Sequence, residues 1–175
     1  MNIVFLDRDG TVIVDPEDER VDREDKIALF PDTIEALAYL REHDFAVIMV
    51  TNQAAIAEGK INEQDFMRIN NIVLDMLAPS GVTILKTYMC PHGPNDGCEC
   101  RKPKPTMLLE AAKEFDIDLT QVYMVGDRQS DILSGINAGT KTVLVKTANV
   151  PVEVSEATYT APNLLDAVKY IVKKS

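Results

Sequence analysis

Five short apolar runs, each the length of a buried strand, alternate with amphipathic stretches along the chain. The runs are rich in Val, Ile and Leu and span residues 2–6, 45–50, 83–89, 121–125 and 142–146. Their length and composition predict strands that are buried on both faces. The regular alternation of such runs with helical patterns predicts an α/β fold. Helices are expected to cover both faces of one parallel sheet, as a three-layer, Rossmann-like sandwich.

The stretches between the runs carry helical periodicity and local start and stop signals. Helices are predicted over residues 34–40, 62–77, 106–115 and 130–138, and from residue 163 onward. Asp32 and Glu35 have the spacing of a capping box at the first helix, and Asn62 is the predicted N-cap of the second. Gly139 is the predicted C-cap of the fourth. Residues 14–29 are irregular and highly charged, which predicts a surface flap rather than a linker between domains.

Length, composition and charge limit what the chain can be. The 175 residues, 46% of them hydrophobic, can bury one core, which predicts a single domain over residues 1–175. The 18 basic and 28 acidic residues give a net charge of −10, which argues against binding to nucleic acid or to an anionic membrane surface. We recognise no signal peptide and no run long enough to span a bilayer. The odd number of cysteines, 3, argues against a disulfide framework and indicates a reducing cytoplasm. A monomer is expected.

Acidic turns follow the first and the fourth of the predicted strands. Asp7 and Asp9 come directly after the first, and Asp127 and Asp131 follow the fourth. Residues two apart on a strand point to the same side, so Asp7 and Asp9 can converge on one metal ion or one reacting group. An isolated turn of this kind would be better explained as a solvent-facing cap. Because ligands bind beyond the carboxyl ends of parallel strands, the two turns together predict one divided site.

The cysteines are clustered with a histidine in one loop. Cys90, His92, Cys98 and Cys100 fit the donor set of a closed, tetrahedral Cys3His zinc site. Four protein ligands leave no open position for water, so zinc would brace the loop rather than catalyse. The competing interpretation is an irregular loop with reduced, unliganded thiols. Zinc is favoured, and since Cys100 directly precedes Arg101, loss of the metal is expected to misplace the cationic residues that follow.

Four segments of the chain resemble, in order, the four motifs of the haloacid dehalogenase (HAD) superfamily. They are FLDRDGT at residues 5–11, VTNQ at 50–53, RKP at 101–103 and VGDRQSD at 125–131. Within that superfamily the chain looks most like the small phosphatases that include heptose bisphosphate phosphatase and the histidinol phosphate phosphatase domain. The resemblance implies a HAD-like fold and phosphatase activity. Nothing in the chain resembles the large cap domain that many members of the superfamily carry.

The resemblance also implies roles for the four acids. Asp7 would attack phosphorus and form an aspartyl phosphate. Asp9 would protonate the leaving oxygen and then, as a carboxylate, deprotonate the water that breaks the intermediate. Magnesium would lie between Asp7, the backbone carbonyl of Asp9 and Asp127, because it prefers hard oxygen ligands. Asp131 would orient ligands in the second coordination shell; a helix N-terminal acid favoured by the dipole is the equally supported alternative.

Five further residues are implied to bind the phosphate or the rest of the substrate. The Thr51 hydroxyl and the Asn52 amide would point at a phosphate oxygen, although a strand-end cap alone would also explain Thr51. Lys102 would stabilise the phosphoryl oxygens and restrain the charge of the nucleophile. Arg101 can bind a phosphate or a carboxylate bidentately, which suits contact with the substrate. Arg128, beside the second acidic turn, is a further candidate for substrate contact.

The motifs favour one substrate class and leave alternatives. Residues 51–60, 107–111 and 123–127 look more like the heptose bisphosphate phosphatases, whereas residues 21–26 look more like the histidinol phosphate group. We therefore predict magnesium-dependent hydrolysis of a small phosphorylated metabolite, namely a sugar bisphosphate such as D-glycero-D-manno-heptose 1,7-bisphosphate. Histidinol phosphate is the alternative substrate. A catalytically silent, zinc-braced binding protein is the alternative of another class, and it is disfavoured because all four motif positions are filled.

Overall fold

A six-stranded parallel sheet forms the centre of the computed structural model, which describes residues 2–147 and 156–175. The strands are β1 (Asn2–Leu6), β2 (Phe45–Asn52), β3 (Thr83–Cys90), β4 (Tyr123–Gly126), β5 (Lys141–Val145) and β6 (Tyr159–Ala161). They are arranged in the order β3-β2-β1-β4-β5-β6, and all neighbouring strands pair in parallel. The chain order reverses between β1 and β4, and a reversal of this kind opens a crevice at the carboxyl ends of the two strands.

Helices cover both faces of the sheet, which confirms the predicted three-layer α/β fold. They are α1 (Thr33–Glu42), α2 (Ala54–Ala57), α3 (Glu63–Leu77), α4 (Thr106–Phe115), α5 (Gln129–Ala138) and α6 (Leu164–Lys174). Helices α1, α3 and α6 share one apolar cluster with Val4 and Leu6 of β1. Phe5 points the other way and packs in a second cluster that includes α4. This alternation buries the central strand on both faces and leaves only its carboxyl end open to a ligand.

The predicted capping signals are confirmed at two helices and wrong at a third. The Asn62 side chain accepts from the Asp65 backbone N–H, and Asp65 accepts from the Asn62 N–H in return, which completes a capping box at α3. Gly139 ends α5 with a φ of 89°. The capping box predicted at Asp32 does not form, because its carboxylate instead accepts from the Leu165 backbone N–H at 2.9 Å. Asp32 thereby accepts from a first-turn N–H of the neighbouring helix α6, whose own N-cap is Asn163, and leaves its own helix uncapped.

One strand and one α-helix were not predicted, and the charged flap has a defined base. The short strand β6 and the four-residue helix α2 are too brief to carry a periodic signal. The flap is closed at its base by an antiparallel bridge between Ile13 and Leu29 and by the Val14 N–H, which donates to the Ala28 carbonyl at 2.8 Å. Within residues 2–147 and 156–175 no helix has the length and apolar character needed to cross a membrane.

Candidate active site

The two acidic turns meet at the carboxyl ends of β1 and β4, as the sequence predicts. The Asp7 N–H donates to the Val125 carbonyl at 2.9 Å, which joins the end of β1 to β4. Gly10 turns the chain with a φ of 90°, and a Cβ at that position would lie 2.3 Å from Oδ2 of Asp127. Only glycine combines this backbone conformation with so close an approach of the two turns. The glycine of the first turn therefore makes room for the carboxylate of the second.

A buried lysine connects the acids of both turns. Lys102 Nζ lies 2.6 Å from Asp7 Oδ1 and 2.6 Å from Asp131 Oδ1, and it also donates to the Val50 carbonyl at 2.9 Å. Burial alone would lower the pKa of Lys102, but Asp131 and Asp7 outweigh burial and raise it, so the ammonium stays charged. The Lys102 side chain is only 2% exposed. It can therefore offer its charge only inside the site.

The amide of Asn52 fixes the backbone that carries this lysine. Its Oδ1 accepts from the Lys102 N–H at 3.0 Å, and its Nδ2 donates to the Lys102 carbonyl at 3.2 Å. Asn52 lies on β2, which continues two residues beyond the predicted end of that strand. The contact gives Asn52 a positioning role that was not predicted. Its predicted contact with substrate stays a prediction.

Three carboxylates form a cluster that suits a divalent cation. Asp7, Asp127 and Asp131 are buried, and each offers an oxygen within 4.8 Å of the others. Oδ2 of Asp127 has no hydrogen-bond partner among the described residues, although it is buried. Lys102 contacts two of the three carboxylates, and Arg128, which is shared with acids of the flap, approaches Asp127 Oδ2 through Nε only at 3.9 Å, so the negative charge of the acids is only partly compensated. A buried carboxylate oxygen without a hydrogen bond, beside two further acids, is the environment that a Mg²⁺ ion fits.

The carboxyl pKa values reflect the same crowding. Burial, followed by repulsion from Asp131, raises the pKa of Asp127 to about 7. Burial and the same neighbour also raise the pKa of Asp7 well above its ordinary value, against the opposing effect of Lys102. Asp131 makes two kinds of contact. One oxygen pairs with Lys102 in the acid cluster, and the other accepts from the Arg128 N–H at 2.9 Å at the start of α5. The two alternatives for Asp131, a residue near the metal and a helix N-terminal acid, are therefore compatible.

The Asp9 carboxylate points away from this cluster. It pairs with Arg8, whose Nε lies 2.7 Å from Oδ1, and it accepts from Gln53 Nε2 at 2.8 Å through Oδ2. Arg8 is fully buried, with its guanidinium 5.0 Å from the centre of the Phe66 ring. The Asp9 side chain remains 18% exposed and reaches the cavity. This geometry separates the predicted proton-transfer group from the carboxylates of the acid cluster.

A cavity of about 150 Å³ opens beside these groups. Asp7, Asp9, Thr51 and Lys102 line its inner part. Thr51 is 1% exposed and accepts a hydrogen bond from Gln53 Nε2 at 2.7 Å. The predicted nucleophile, the predicted proton-transfer group, a hydroxyl and a cation thus face one small space, which matches the needs of phosphoryl transfer.

The three arginines at the mouth of the cavity have different partners. Arg128 pairs with Asp15 at 2.5 Å and with Glu19 at 3.2 Å, both from the flap. Arg20, also from the flap, pairs with Glu58 at 2.6 Å. Arg101 instead donates to the backbone carbonyl of His92 at 2.9 Å and has no carboxylate partner within the described residues.

The cysteine cluster comprises the last residue of β3, Cys90, and three residues of the loop between β3 and α4. Cys90 Sγ lies 3.0 Å from Cys100 Sγ and 3.7 Å from Cys98 Sγ. His92 Nδ1 lies 3.2 Å from Cys100 Sγ and 3.7 Å from Cys90 Sγ. A tetrahedral zinc ion would place such donors roughly 3.5–3.8 Å apart, given Zn–S and Zn–N distances of about 2.3 and 2.0 Å. The four donors are therefore arranged closely enough for one tetrahedral ion.

The sequence interpretation missed three residues of the site. Gln53 was present in the VTNQ segment but was given no role. Asp15 and Glu19 lie in the flap, where no periodic signal exists, and they reach the site only by folding over it. Gln53 could have been found from its position directly after the strand that carries Thr51, because side chains at that edge converge on the ligand.

Comparisons with known proteins agree with this geometry. Residues 99–167 match a family model described as HAD-hydrolase-like. The chain is 38% identical over 177 residues to the D-glycero-beta-D-manno-heptose-1,7-bisphosphate 7-phosphatase of Pasteurella multocida, covering 96% of this chain and 95% of that protein. It is also 39% identical over 129 residues to the histidine biosynthesis bifunctional protein HisB of Legionella pneumophila, covering 74% of this chain and 37% of that protein.

A solved structure matches over the full length of both chains. It is the D,D-heptose 1,7-bisphosphate phosphatase of Bordetella bronchiseptica, complexed with magnesium and phosphate. The TM-score is 0.89 and the sequence identity is 30%. The predicted HAD resemblance is thus confirmed by both sequence and structure.

Proposed function

We propose that this chain, which belongs to the HAD superfamily of phosphatases, removes one phosphate from a sugar bisphosphate such as D-glycero-D-manno-heptose 1,7-bisphosphate. The chain is a phosphoric monoester hydrolase, like its relatives. The observation that carries the choice of substrate is Arg101, a cation at the cavity mouth with no carboxylate partner within the described residues. It is available for a second anionic group of the substrate. The neighbouring arginines already have their charges matched by the flap and by Glu58.

The chemistry follows from the positions of the inner residues. An Asp7 oxygen attacks phosphorus, the bond from phosphorus to the sugar oxygen breaks, and Asp9 gives that oxygen a proton. Asp9 then takes a proton from water, whose oxygen displaces Asp7 from phosphorus and releases phosphate. Lys102 and the Thr51 hydroxyl stabilise the phosphoryl oxygens throughout.

Magnesium would be held by Asp7, Asp127 and the Asp9 carbonyl, with Asp131 beside them, and when bound it would neutralise charge on the phosphoryl oxygens. The unsatisfied Asp127 oxygen and the net negative charge of the acid cluster support this assignment. The relative from Bordetella bronchiseptica carries magnesium and phosphate, which further supports a magnesium-dependent reaction.

A panel of phosphate esters tests the substrate. Phosphate release is measured with magnesium from heptose 1,7-bisphosphate, fructose 1,6-bisphosphate and histidinol phosphate. The proposal expects the highest kcat/KM with the heptose bisphosphate. Histidinol phosphate is the second candidate because of the similarity to HisB. If it is hydrolysed faster than the heptose bisphosphate, histidinol phosphate is the substrate and the sugar bisphosphate is not. Release from none of the three, with folded protein, would favour a silent binding protein.

Replacing Arg101 with Met should weaken binding of the bisphosphate but not the chemistry. A charge-assisted hydrogen bond contributes about 1.5–3 kcal/mol, so KM for the bisphosphate should rise about 10- to 100-fold. The kcat/KM for p-nitrophenyl phosphate, which has no second phosphate, should change less than about threefold. Lys104→Met is the matched control, because Lys104 lies on the same loop but pairs with Glu99 at 2.7 Å. An equal loss on both substrates would exclude a second-phosphate contact.

We further propose that Cys90, His92, Cys98 and Cys100 bind a structural zinc ion. Cys98→Ser should abolish stoichiometric zinc in elemental analysis. Because His92 also holds Arg101 through its carbonyl, the variant should raise KM for the bisphosphate about tenfold or more.

Glu99→Gln is the control for the zinc proposal, since Glu99 lies between two of the cysteines and its side chain is 81% exposed. It should keep zinc and activity. Full activity of Cys98→Ser without zinc would contradict the bracing role.

A further inference from the structure

Gln53 lies between the proton-transfer group and the phosphate-binding hydroxyl. It follows β2, is 3% exposed, and its backbone N–H donates to the Cys90 carbonyl at 2.8 Å. Its Nε2 lies 2.8 Å from Asp9 Oδ2 and 2.7 Å from Thr51 Oγ1. One side-chain amide thus contacts two groups of the proposed reaction while its backbone is anchored to the end of β3.

Chemistry fixes the direction of both hydrogen bonds. When Asp9 is ionised, as in the second step of the proposed reaction, its carboxylate can only accept, so the amide atom that faces it is then the NH₂ group. That group has two hydrogens, and the second is directed at Thr51 Oγ1. The Thr51 oxygen therefore acts as an acceptor toward Gln53, and its own proton is free for another partner. Within residues 2–147 and 156–175 no protein acceptor takes that proton, and Thr51 lines the cavity.

We propose that Gln53 is a positioning residue for phosphoryl transfer. Its amide holds the Asp9 carboxylate and orients the Thr51 hydroxyl as a donor to the phosphate. The inference rests on the proposed phosphatase reaction but not on the identity of the sugar. Arg8 holds Asp9 from the other side, itself fixed by Phe66 and by Asn70, whose Oδ1 accepts from Nη1 at 3.4 Å. Gln53 alone of these residues contacts both Asp9 and Thr51.

The test compares Gln53→Met, which keeps the length of the side chain but donates nothing, with the wild-type protein. Affinity for inorganic phosphate is measured by calorimetry on the magnesium-loaded protein, and it should fall about tenfold as Thr51 loses its orientation. With an alkyl phosphate, kcat should fall about 10- to 100-fold, and with p-nitrophenyl phosphate, whose leaving group needs no proton, it should fall less. Gln53→Glu places a second carboxylate beside Asp9 and should lose more activity than Gln53→Met.

A cycle with Thr51→Val separates positioning from a purely structural role. In the Thr51→Val background, Gln53→Met should leave phosphate affinity unchanged within about twofold, because the two residues act through one contact. Magnesium affinity should also stay unchanged, since Gln53 does not contact the acid cluster. Gln64→Met, at an exposed position on α3, is the matched control and should behave as wild type.

Two results would overturn the proposal for Gln53. One is an unchanged phosphate affinity in Gln53→Met. The other is the same loss of phosphate affinity in both backgrounds together with a lower melting temperature, which would indicate a structural role only. Because phosphate binding is measured without turnover, this result does not depend on which ester the wild-type protein hydrolyses. Absence of turnover by the wild-type protein would instead count against the proposed function.

Discussion

Replacing Asp7 with Asn is expected to abolish phosphate release while the protein stays folded. The amide has the shape of the carboxylate but cannot attack phosphorus, so kcat should fall by about 10⁴-fold or more. Lys102 keeps its contact with Asp131 at 2.6 Å, and the crowded acid cluster loses one negative charge. The melting temperature of the metal-free protein should therefore be unchanged or higher. Phosphate release and thermal unfolding, measured on the same preparation, check both statements.

One control variant and one activity threshold make the Asp7 result interpretable. Glu110→Gln, which removes a carboxylate at an exposed position on α4, should retain full activity. Residual activity of Asp7→Asn above about 1% of wild type, in a folded protein, would exclude Asp7 as the nucleophile.

Replacing Lys102 with Met is expected to affect both activity and stability. Lys102 is the cation that contacts Asp7 and Asp131 inside the site, and removing one partner of a buried ion pair costs about 3–5 kcal/mol. Activity should fall by about 10³-fold or more, because a charge that stabilises the phosphoryl oxygens is lost. Lys86→Met, which removes an exposed lysine paired with Glu114, should cost less than about 1 kcal/mol.

The stability loss of Lys102→Met should depend on pH, with a sign that follows from the carboxyl pKa values. Burial first and Asp131 second raise the pKa of Asp127 from its ordinary 3.8 to about 7. The folded protein then binds more protons than the unfolded chain, so without metal this carboxyl lowers stability as pH rises from about 4 to 7. The pKa of Asp7 is raised by burial and by Asp131 in the same way, and Lys102 opposes that rise, so without Lys102 the loss should be larger at pH 8 than at pH 5.

Urea unfolding at pH 5 and pH 8, with and without magnesium, measures this dependence. Added magnesium should restore part of the stability at pH 8, because the cation replaces a missing positive charge beside the acids. A metal-free Lys102→Met protein as stable as wild type at pH 8 would show that the lysine does not offset the repulsion among the carboxylates.

The sequence predicted the sheet and the meeting of the two acidic turns because both depend on short-range rules. Buried strands are recognisable from their apolar runs, and parallel strands bring their carboxyl ends to one edge. Asp7 and Asp127 could be assigned to one site on that ground alone. Gly10 lies in the first turn, and its lack of a side chain allows the close approach to Asp127.

Long-range contacts explain what the sequence could not predict. Asp32 has the local spacing of a capping box, yet it bonds to Leu165, which is 133 residues away along the chain. Asn52 holds the backbone of Lys102 across 50 residues, and no local pattern indicates that contact. The flap residue Asp15 likewise meets Arg128 only in the folded protein. Each is a polar contact whose partner is selected by tertiary packing rather than by propensity.

The most direct test of the account is detection of a phosphoryl group on Asp7. Asp9→Asn lacks the base for the second step, but p-nitrophenyl phosphate needs no acid for the first, so the aspartyl phosphate should accumulate in this variant. Mass spectrometry after acid quench should find the peptide that contains Asp7 phosphorylated, and the same peptide unmodified in the Asp7→Asn protein. Release of p-nitrophenol by Asp9→Asn over many turnovers without any phosphorylated Asp7 would contradict the covalent mechanism.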